Sequence, residues 1–519
     1  MRLIVLLSLL AAVSPPSCCE RRNSQVCANE AGYECDDGQL CVIPPGQTFG
    51  ACMQADCGTG QAACPADRPL CVSGRCKACE ADAECAAQGS AAPVCIAGAC
   101  VACRDADQCK DADRKVCDAT THTCRGCQLH SECGAGVCAK DDAFVTLNPP
   151  ILPGTCVDAS KVTEVDVSCG SSCALQTVLA SGVSAAKPYV RIGKYSTTGK
   201  ITVPALPVGL PRYYIIGPLA DVRATQAATA PQMSLSAASM AAIEVTAGAH
   251  ITLEGVIISN SVTGLDCNSK SSMPTGAPTK VALVRSLLGG NQTAIKASTQ
   301  CELDLDQTWI GKGPTAVFAG IARNDTAMVL DSTRLRMVNS VLWDNGKSTP
   351  LFGGIKLTDT AGSRPSIHIV NSTFARLEWA TTGLMTLAID CDYATAGSVA
   401  IVNTLFLNES TLTAGYTYVR DLCRPAGSLS AVGSNDSALT GVGNVIDLTS
   451  AATFIDAPNG NLRLQTAASG TVTGGGVSAF VDGKGGEVSI PKVDFDGKPR
   501  GSAAAQSVRS MGAFEVSRP

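Results

Sequence analysis

Two pairs of charged residues, each spaced two apart in strand-like segments, are the best candidates for chemistry in this chain. Asp304 and Asp306 lie in CELDLDQTW, and Arg334 and Arg336 lie in TRLRMVN. Residues two apart on a strand share a face, so each pair projects from one side. Carboxylates of this kind bind Ca²⁺ or act as general acid and base, but one pair supplies too few oxygens for a calcium site. We favour an exposed salt-bridge patch and keep a sugar or metal site as the alternative.

Other reactive groups are sparse and separated along the sequence. Asp390 and Asp392 in IDCDYA form a second acidic candidate. The four histidines are all isolated: His122, His130, His250 and His368. We expect a surface or stacking role for His368, which lies in a repeated strand. The chain has no Gly-x-Ser-x-Gly elbow and no phosphate-binding loop. These features favour a non-enzymatic protein over a lyase or hydrolase.

The charged pairs belong to a segment that returns along the chain. VALVRSLLGG, LDLDQTWIG, LRMVNSVLW, IHIVNSTFA and AIVNTLFLN share alternating aliphatic residues followed by a turn position. Aligning them with ITLEGVIIS places six residues in one column: Gly255, Arg285, Gln307, Asn339, Asn371 and Asn403. From Gln307 onward the interval between column members is constant. Returns at a fixed interval are typical of solenoids.

Stacking explains why the same strand is repeated. A strand with one apolar face cannot bury that face alone, but a coil can lay it on the previous copy at a spacing of about 4.8 Å. We expect Val338, Val370 and Val402 to be vertical neighbours, and the column asparagines to form a hydrogen-bonded ladder. An antiparallel β-sandwich is the alternative, but its strands recur at shorter intervals and need not resemble one another. The sequence therefore predicts an all-β fold built from a single-stranded parallel β-helix.

This region, residues 159–519, resembles the right-handed parallel β-helices of the pectate-lyase-like superfamily. ALQTVLASGVSAAKPYVRIGKY is similar to the family's opening, in which a short helix at about 174–182 covers the first coil. FIDAPNGNLRLQTAASG, VDFDGKPRG and MGAFEV are similar to the closing segment of bacterial surface β-helix proteins, which implies a C-terminal cap. The resemblance implies either a surface protein or a polysaccharide lyase or hydrolase, with calcium needed only by a lyase. The hydrolase motifs of the family are absent.

Cysteines define a second region, residues 18–158. It holds all but six of the 28 cysteines, and CKAC, CVAC and CRGC recur at a constant interval, beginning at Cys76, Cys100 and Cys124. Repeats this short cannot build an apolar core and need another stabilising element. Disulfides are the favoured interpretation over zinc or redox chemistry, with these candidates in the repeats: Cys76, Cys79, Cys85, Cys100, Cys103, Cys109, Cys124, Cys127 and Cys133.

The repeats resemble cysteine-rich modules that precede larger domains in some bacterial surface proteins, including some similar to the dickkopf-type fold. That resemblance implies a stalk or a small interaction module. Six later cysteines are expected to pair within or between coils: Cys169 with Cys173, Cys267 with Cys301, and Cys391 with Cys423. Buried free thiols are the alternative for these six.

The N-terminus predicts export. Residues 1–17 contain one arginine and a mainly apolar run from Leu3 to Val13, which fits a signal peptide and is too short to span a bilayer. Lipidation of Cys18 and ordinary cleavage are both open. A net charge of −5 with a pI near 5.5 gives no reason to expect nucleic acid as a partner. A secreted or surface location follows, with or without a lipid anchor.

Two functions remain open from the sequence. One is an exported, non-enzymatic β-helix protein for adhesion, cell-envelope contact or binding of extracellular polysaccharide, with no cofactor. The other is a polysaccharide lyase or glycoside hydrolase acting on an acidic polymer. Trp309, Trp343 and Trp379 fall near one strand column, where they serve either as sugar-stacking platforms or as anchors packed against the helix. A groove lined by aligned carboxylates and Arg or Lys over three adjacent coils would favour the enzyme, whereas a featureless Ser/Thr face would favour the non-enzymatic protein.

Overall fold

A computed structural model describes residues 26–28, 35, 39–57, 63–72, 75–87, 91–111, 113–165, 174–193, 196–197, 199–221, 234–267, 278–313, 321–346, 353–360, 366–375, 388–391, 398–407, 429–432, 454–456, 461–464, 480–481, 487–488, 494–495, 500 and 513. Several predictions lie outside these residues: the leader 1–17, Cys18, Cys169, Cys173, Cys423, Trp379 and Asp392. No helix in the described ranges is long and apolar enough to cross a membrane.

The chain divides into two compact units, Met1–Gly126 and Cys127–Pro519. The predicted boundary at residue 158 follows the cysteine content, whereas the compact unit that contains the β-helix already begins at Cys127. The last cysteine-rich repeat therefore belongs structurally with the β-helix. The short helices of both units are Asp82–Ala87 and Ala174–Thr177 (α-helix), Ala106–Gln108, His130–Cys133 and Ala159–Lys161 (3₁₀), and Val178–Gly182 (π).

Small antiparallel hairpins make up the cysteine-rich repeats. Their strands are β1 (Val26–Ala28), β2 (Gln39–Val42), β3 (Phe49–Gln54), β4 (Leu70–Val72), β5 (Arg75–Lys77), β6 (Val94–Ile96), β7 (Ala99–Val101), β8 (Val116–Cys117), β9 (Cys124–Arg125), β10 (Val137–Cys138) and β11 (Cys156–Val157). Strands β1, β3 and β2 form one sheet, and the others pair as β4–β5, β6–β7, β8–β9 and β10–β11. In each two-stranded hairpin two cysteines lie opposite each other, as Cys95 and Cys100 do.

Ten disulfides staple these hairpins in five modules of four cysteines. The first cysteine of each module pairs with the third and the second with the fourth: Cys27–Cys41 and Cys35–Cys52, Cys57–Cys71 and Cys64–Cys76, Cys79–Cys95 and Cys85–Cys100, Cys103–Cys117 and Cys109–Cys124, Cys127–Cys138 and Cys133–Cys156. We number these modules 1 to 5. The expected disulfide framework is present, and its connectivity is the same in every module.

The repeat boundary differs from the one suggested by the CxxC motifs. Cys76 closes module 2 and Cys79 opens module 3, so the two cysteines of CKAC never pair with each other. Cys100 and Cys103 divide CVAC in the same way. The conspicuous CxxC spacing is therefore the junction between consecutive modules, which explains why it recurs at the length of one module.

Three parallel sheets form the right-handed β-helix. Sheet A contains β12 (Val162–Val165), β13 (Tyr189–Ile192), β16 (Tyr213–Ile216), β19 (His250–Glu254), β22 (Thr279–Val284), β25 (Cys301–Asp306), β28 (Arg334–Val338), β31 (Ser366–Val370), β34 (Ser398–Val402) and β36 (Leu429–Val432). Sheet B contains β14 (Ser196–Thr197), β17 (Ser234–Leu235), β20 (Ile257–Ser259), β23 (Leu287–Gly289), β26 (Trp309–Gly311), β29 (Val341–Trp343), β32 (Thr373–Ala375) and β35 (Leu405–Leu407). Sheet C contains β15 (Ile201–Val203), β18 (Ala241–Val245), β21 (Thr263–Cys267), β24 (Thr293–Ala297), β27 (Thr326–Asp331), β30 (Ile355–Thr358) and β33 (Ile389–Cys391).

The strand register confirms the predicted stacking. Val338 pairs with Val370, and Val370 pairs with Val402, on successive parallel strands of sheet A. Inward-facing residues stack in the same way, and Leu342 lies between Ile310 and Phe374 in sheet B. From β13 to β33 each coil contributes one strand to each sheet, so one circuit of the chain explains the constant interval between the repeated strands.

The repeated column residue has a different role from the one predicted. Asn339, Asn371 and Asn403 have φ values of 47°, 46° and 50°, and they make the turn from sheet A to sheet B. Asparagine tolerates this left-handed conformation better than other non-glycine residues. The buried side-chain amide of Asn371 has no hydrogen-bond partner, so the expected ladder is wrong at that rung. Backbone conformation is the reason for asparagine here.

An asparagine ladder does exist at another corner, between sheets B and C. Asn291 Nδ2 donates to Asn324 Oδ1 at 3.1 Å, and Asn324 Nδ2 donates to Asn345 Oδ1 at 3.0 Å. All three are buried. Their unequal separations along the sequence reflect loops of different length between the coils. This irregular spacing hid the ladder from the sequence comparison.

Hydroxyl groups form a second ladder beside the column. The backbone N–H of Thr308 donates to Ser340 Oγ at 3.1 Å, and the N–H of Ser340 donates to Ser372 Oγ at 3.3 Å. Ser340 Oγ also donates to the carbonyl oxygen of Val338 at 2.8 Å. The Asn-Ser and Asn-Thr dipeptides of the repeats therefore pair a left-handed turn with a bridging hydroxyl.

The predicted entry helix is present at 174–182, as an α turn continued by a π turn. Gln176 Oε1 accepts the N–H of Thr202 at 2.6 Å, and Gln176 Nε2 donates to its carbonyl oxygen at 3.0 Å. Thr202 lies in β15, the first strand of sheet C, so this amide covers peptide groups at the sheet edge. Leu175 and Leu179 enter the core beneath it.

Described residues of the closing segment lie along the side of the coils. Gln307 Nε2 donates to the carbonyl oxygens of Asp494 and Phe495 at 2.9 and 3.1 Å. The ring of Phe495 packs edge-on against Trp309, with centroids 6.1 Å apart. The segment therefore covers apolar residues on the outside of sheet B.

The GAFE-like motif makes a second lateral contact. Arg500 donates to Asn339 Oδ1 and to the carbonyl oxygen of Ala513, both at 2.9 Å. The N–H of Ala513 donates to Thr373 Oγ1 at 3.0 Å. A cap over the end of the β-helix stays a prediction, since it concerns residues outside the described ranges.

Two of the six later cysteines form a disulfide within the described residues. Cys267 pairs with Cys301, as expected, and links the end of β21 in sheet C to the start of β25 in sheet A, one strand beyond β22. Cys391 is also disulfide-bonded, while its expected partner, Cys423, lies outside the described ranges.

Candidate functional site

The outer face of sheet A carries the charged residues singled out by the sequence. Because side chains alternate along a strand, the outward-facing positions form rows across the coils, and two of these rows carry the charged pairs. Row 1 contains His250, Lys280, Glu302, Arg334, Ser366 and Ser398. Row 2 contains Tyr189, Tyr214, Thr252, Ala282, Asp304, Arg336, His368 and Ala400.

Ion pairs connect adjacent coils within both rows. In row 1, Lys280 and Arg334 lie 3.1 and 3.2 Å from the carboxylate of Glu302. In row 2, Arg336 donates to Asp304 at 2.7 Å. The structure thus brings the predicted acidic and basic residues together, as a cross-coil patch on a solvent-facing surface. Exposed pairs of this kind contribute about 0–1 kcal/mol each to stability.

Asp306 differs from its predicted partner Asp304. Asp304 is exposed, whereas Asp306 is largely covered and lies between Val284 and Val338 on the neighbouring coils. One of its oxygens is buried without a hydrogen bond. Burial raises the pKa of Asp306 to about 6, against the opposing charge of Arg336. The expectation that both carboxylates point to solvent is wrong for Asp306.

Trp309 and Trp343 are not exposed platforms for sugar rings. They are 2% and 0% exposed, and their rings pack edge-on at 5.7 Å between centroids. Lys312 lies over the ring of Trp343 at 5.8 Å. The alternative, that these residues anchor neighbouring segments to the helix, agrees with their contacts.

A buried ionic cluster at Glu254 joins module 5 to the β-helix. Glu254 is fully buried and accepts hydrogen bonds from Lys140 Nζ and from the Tyr214 hydroxyl, both at 2.8 Å. His130 Nε2 lies 3.0 Å from Glu254 Oε2, and Arg285 forms an ion pair with Oε1. We call these five residues the Glu254 cluster.

Asp221 extends the cluster on the side of module 5. Its carboxylate accepts the backbone N–H groups of His130 and Ser131 at 2.7 and 2.5 Å, and it lies 3.3 Å from Lys140 Nζ. It therefore satisfies the otherwise unpaired donors at the start of the short 3₁₀-helix His130–Cys133.

The cluster alters the titration of its members. Burial alone would raise the pKa of Glu254, but the hydrogen bond from His130 and the charges of Arg285 and Lys140 outweigh it and lower that pKa well below its usual value. Burial also lowers the pKa of Lys140, while the attraction of Glu254 opposes this change. The carboxylate is thus held ionised inside the protein.

Sequence comparison missed the Glu254 cluster, although one signal was present. Glu254 stands in a column whose other members are Val284, Asp306, Val338 and Val370. A carboxylate in a mainly aliphatic column indicates a partner arriving from elsewhere. That partner, His130, comes from module 5, far away in the sequence, and the prediction that all four histidines are isolated is wrong for it.

Potential metal ligands cluster only as cysteine sulfurs among the described residues. In each module three sulfur atoms lie within 4.8 Å of one another. All of them belong to disulfides, so none is the thiolate that zinc requires. The structure thus favours the disulfide interpretation of the repeats.

No family model matches the chain, and no curated protein matches it. One solved structure to which it is similar is the crystal structure of pectate lyase Pel9A, at 12% identity and a TM-score of 0.31. The similarity covers 68% of this chain and 96% of that one. A likeness this low supports no inference about activity, and the β-helix is established by the strand register itself.

Proposed function

We propose that this protein is an exported, non-enzymatic β-helix protein that binds an extended, charged polymer along the outer face of sheet A. The binding surface consists of row 1 and row 2 from β22 to β31. The observation that carries the proposal is a set of charges on three adjacent coils that bind one another: row 1 alternates Lys280, Glu302 and Arg334, and row 2 pairs Asp304 with Arg336. Aligned charges are also the feature expected of an enzyme, and we place binding first because each of these carboxylates is already bound by a basic side chain. Linear glycans of the extracellular space or cell envelope are the polymer class that fits this surface.

Coverage of the other surfaces supports this choice. The early strands of sheet A lie under module 5, where Phe144 packs on Tyr189 and Tyr214. The outside of sheet B is apolar and is contacted by Phe495 at Trp309. Beyond β19 the charged rows stay open to solvent, with the Arg334 side chain 74% exposed.

The ion pairs favour binding over catalysis. A lyase needs a base that is free to reach the substrate, whereas the guanidinium groups of Arg334 and Arg336 are both bound to protein carboxylates. Guanidinium groups in this arrangement can exchange a protein carboxylate for a sugar carboxylate or sulfate in a bidentate contact. The spacing between coils, about 4.8 Å, is close to the length of one pyranose unit.

Export rests on the chemistry of the disulfides. The eleven disulfides formed among the described residues are typical of an extracellular protein. The apolar leader 1–17 is consistent with this location. A lipid anchor at Cys18 would keep the protein at a membrane surface, and mass spectrometry of the N-terminus would distinguish it from simple cleavage.

The test is binding of the purified, oxidised chain to immobilised acidic and neutral polysaccharides. The variant Arg334→Glu/Arg336→Glu reverses two charges on sheet A, and Lys296→Glu/Lys356→Glu makes the same change on sheet C. We expect the sheet A variant to lose at least about tenfold in affinity for acidic polymers, which corresponds to about 1.4 kcal/mol. The sheet C variant should bind like the wild type.

Two outcomes would contradict the proposal. Equal loss in both variants would indicate a general charge effect, and unchanged binding in the sheet A variant would exclude these rows as the site. Binding should also weaken with added salt, because exposed charges are screened.

A second candidate function rests on Asp306 alone. A carboxyl group with a pKa of about 6 and an unbonded oxygen has the properties of a general acid, and Asp304 lies two residues away. Polysaccharide cleavage would be measured by new reducing ends and by absorbance of unsaturated products, with and without calcium. Activity abolished by Asp306→Asn would establish the enzyme, and no product from any uronate polymer would remove this candidate.

A further inference from the structure

We propose that module 5 is a cover held on sheet A by a proton-sensitive contact, which opens when His130 takes up a proton. The inference concerns the attachment of residues 127–157 and is independent of the proposed glycan binding. It rests on the hydrogen-bond directions at His130, the balance of charge in the Glu254 cluster, and the aromatic surface beneath the module.

The contacts of His130 assign its protonation state. The backbone N–H of Cys138 points at His130 Nδ1 at 3.1 Å, so Nδ1 must be an acceptor. The ring proton therefore lies on Nε2, which donates to Glu254 Oε2 at 3.0 Å. In a protonated imidazole both nitrogens are donors, and Nδ1–H would then face the Cys138 N–H. The closed arrangement is thus specific for the neutral ring.

The charges around the ring add to this preference. Among the described residues, Glu254 is the one carboxylate in contact with the ring, and Lys140 and Arg285 already bind it. Asp221 lies on the backbone side, where it bonds the N–H groups of His130 and Ser131. A proton on His130 would add a third cation to Lys140 and Arg285 around the buried Glu254, while the second carboxylate, Asp221, is already occupied by Lys140 and the two N–H groups.

Groups further from the ring do not alter this balance. Asp141 and Arg212 form their own ion pair at 3.3 Å at the edge of module 5. The Tyr214 hydroxyl donates to Glu254 and remains neutral, since burial raises its pKa well above the usual value. Every described titratable group that faces the ring from the module or from sheet A is therefore already paired.

Module 5 is built to move as a unit. Its two disulfides, Cys127–Cys138 and Cys133–Cys156, keep its internal structure when the contact opens. On sheet A, Tyr189 and Tyr214 stack at 5.3 Å beneath Phe144. Opening would uncover these two aromatic rings in row 2, which Thr252 and Ala282 separate from the charged residues of the same row.

Hydrogen–deuterium exchange of the intact, oxidised chain tests this inference. Imidazole in water titrates near pH 6.5, so about pH 7.5 is compared with about pH 5 after correction for the intrinsic pH dependence of exchange. We expect exchange at His130, Ser131 and Cys138 to rise at least about tenfold at the lower pH. Exchange in β25 and β28, which do not contact module 5, should stay constant.

Two histidine variants identify the sensor. His130→Gln keeps a neutral donor that cannot take up a proton, so its exchange should no longer depend on pH. His250→Gln replaces a half-buried histidine at the edge of row 1 and should respond like the wild type. Unchanged wild-type exchange, or a response retained in His130→Gln, would overturn the inference.

The wild-type experiment decides the question even if His130→Gln does not fold. Loss of protection in module 5 together with β25 and β28 at the same pH would mean global acid unfolding. That outcome would also overturn the inference, because a cover must open while the β-helix beneath it stays closed.

Discussion

The cysteine-rich modules 1 to 4 and the β-helix reach stability by different physical means. Modules 1 to 4 have short strands and, among described residues, a separate buried cluster of only Leu70, Cys79 and Cys85. The β-helix buries aliphatic side chains in every coil and forms one continuous core. Covalent closure of short loops replaces apolar burial where the chain is too short to stack. Repetition of one strand makes burial possible without such closure.

Module 5 combines both solutions. It has the same two disulfides as the other modules, yet Val137, Phe144 and Ile151 belong to the core of the β-helix. Its disulfides have the same connectivity as those of module 4, but they span 11 and 23 residues instead of 14 and 15. Apolar residues and the charged partners of Glu254, rather than cysteines, decide which module packs on the helix.

Reducing the disulfides should show the difference in stability between the two regions more clearly than any substitution. Each disulfide of modules 1 to 4 closes a short loop and contributes about 3 kcal/mol, so we expect residues 27–126 to unfold in reductant. The β-helix, whose stability rests on its stacked core, should keep its parallel sheets. Limited proteolysis and circular dichroism would measure both.

If modules 1 to 4 stayed resistant to proteolysis after complete reduction, the claim that their fold depends on disulfides would be contradicted. Loss of the β-sheet signal at the same reductant concentration would show that Cys267–Cys301 and the Cys391 disulfide are needed by the helix. The control is the oxidised chain, treated with the same alkylating reagent but without reductant.

Truncating one stacked side chain tests whether the β-helix is stabilised by its apolar core. Leu342 is 0% exposed and lies between Ile310 and Phe374. Leu342→Ala should therefore lower the free energy of unfolding by about 3 kcal/mol, as is usual for such cavities. Denaturant unfolding would measure the change. Arg334→Ala, on the exposed face of the same coil, should change it by less than about 1 kcal/mol, and similar losses in both variants would contradict the stacking argument.

The two asparagine corners should respond differently. Asn324 is the middle rung of the buried ladder, so Asn324→Ala should cost about 2 kcal/mol by leaving its partners unbonded. Asn371 has no side-chain partner and a positive φ, so Asn371→Gly should change stability by less than about 1 kcal/mol. Thermal unfolding of the two variants would give this order. The reverse order would indicate that Asn371 takes part in a hydrogen-bonded ladder after all.

The smallest predicted effect is the pH dependence from Asp306. Its folded pKa of about 6 lies above the unfolded value of 3.8, so its contribution is favourable below about pH 4 and is lost as the pH rises through 6. Asp306→Asn, which stays neutral, should therefore raise stability by about 1–2 kcal/mol at pH 7.5 and leave it unchanged near pH 3.5. Asp304→Asn, at an exposed ion pair, should show no such gain.

Particular residues show how far sequence comparison could reach. The evenly spaced returns of Asn339, Asn371 and Asn403 predicted the vertical pairing of the coils, because identical strands can bury their faces on one another. The spacing of the later cysteines predicted Cys267–Cys301. The ladder of Asn291, Asn324 and Asn345 was hidden, since loops of unequal length separate its members.

The candidate site also has one part that the repeat spacing predicted and one part that it did not. Charges two apart on adjacent repeats predicted that Asp304 and Arg336 would meet across coils. The covered position of Asp306 was not predictable, because it depends on which residues lie over the strand end. The contact between His130 and Glu254 joins different domains of the sequence, where no repeat relates the two positions.

The sequence by itself determined that cysteines staple the first region and that one strand is wound repeatedly on itself in the second. Both are local properties, set by spacing and by which side chains can be buried. Only the tertiary structure decided which faces are covered, that module 5 packs on sheet A, and that a buried carboxylate meets a histidine there. Such contacts depend on the energy of burying charges between segments that are distant in the sequence. The interval between repeats gives no information about that energy.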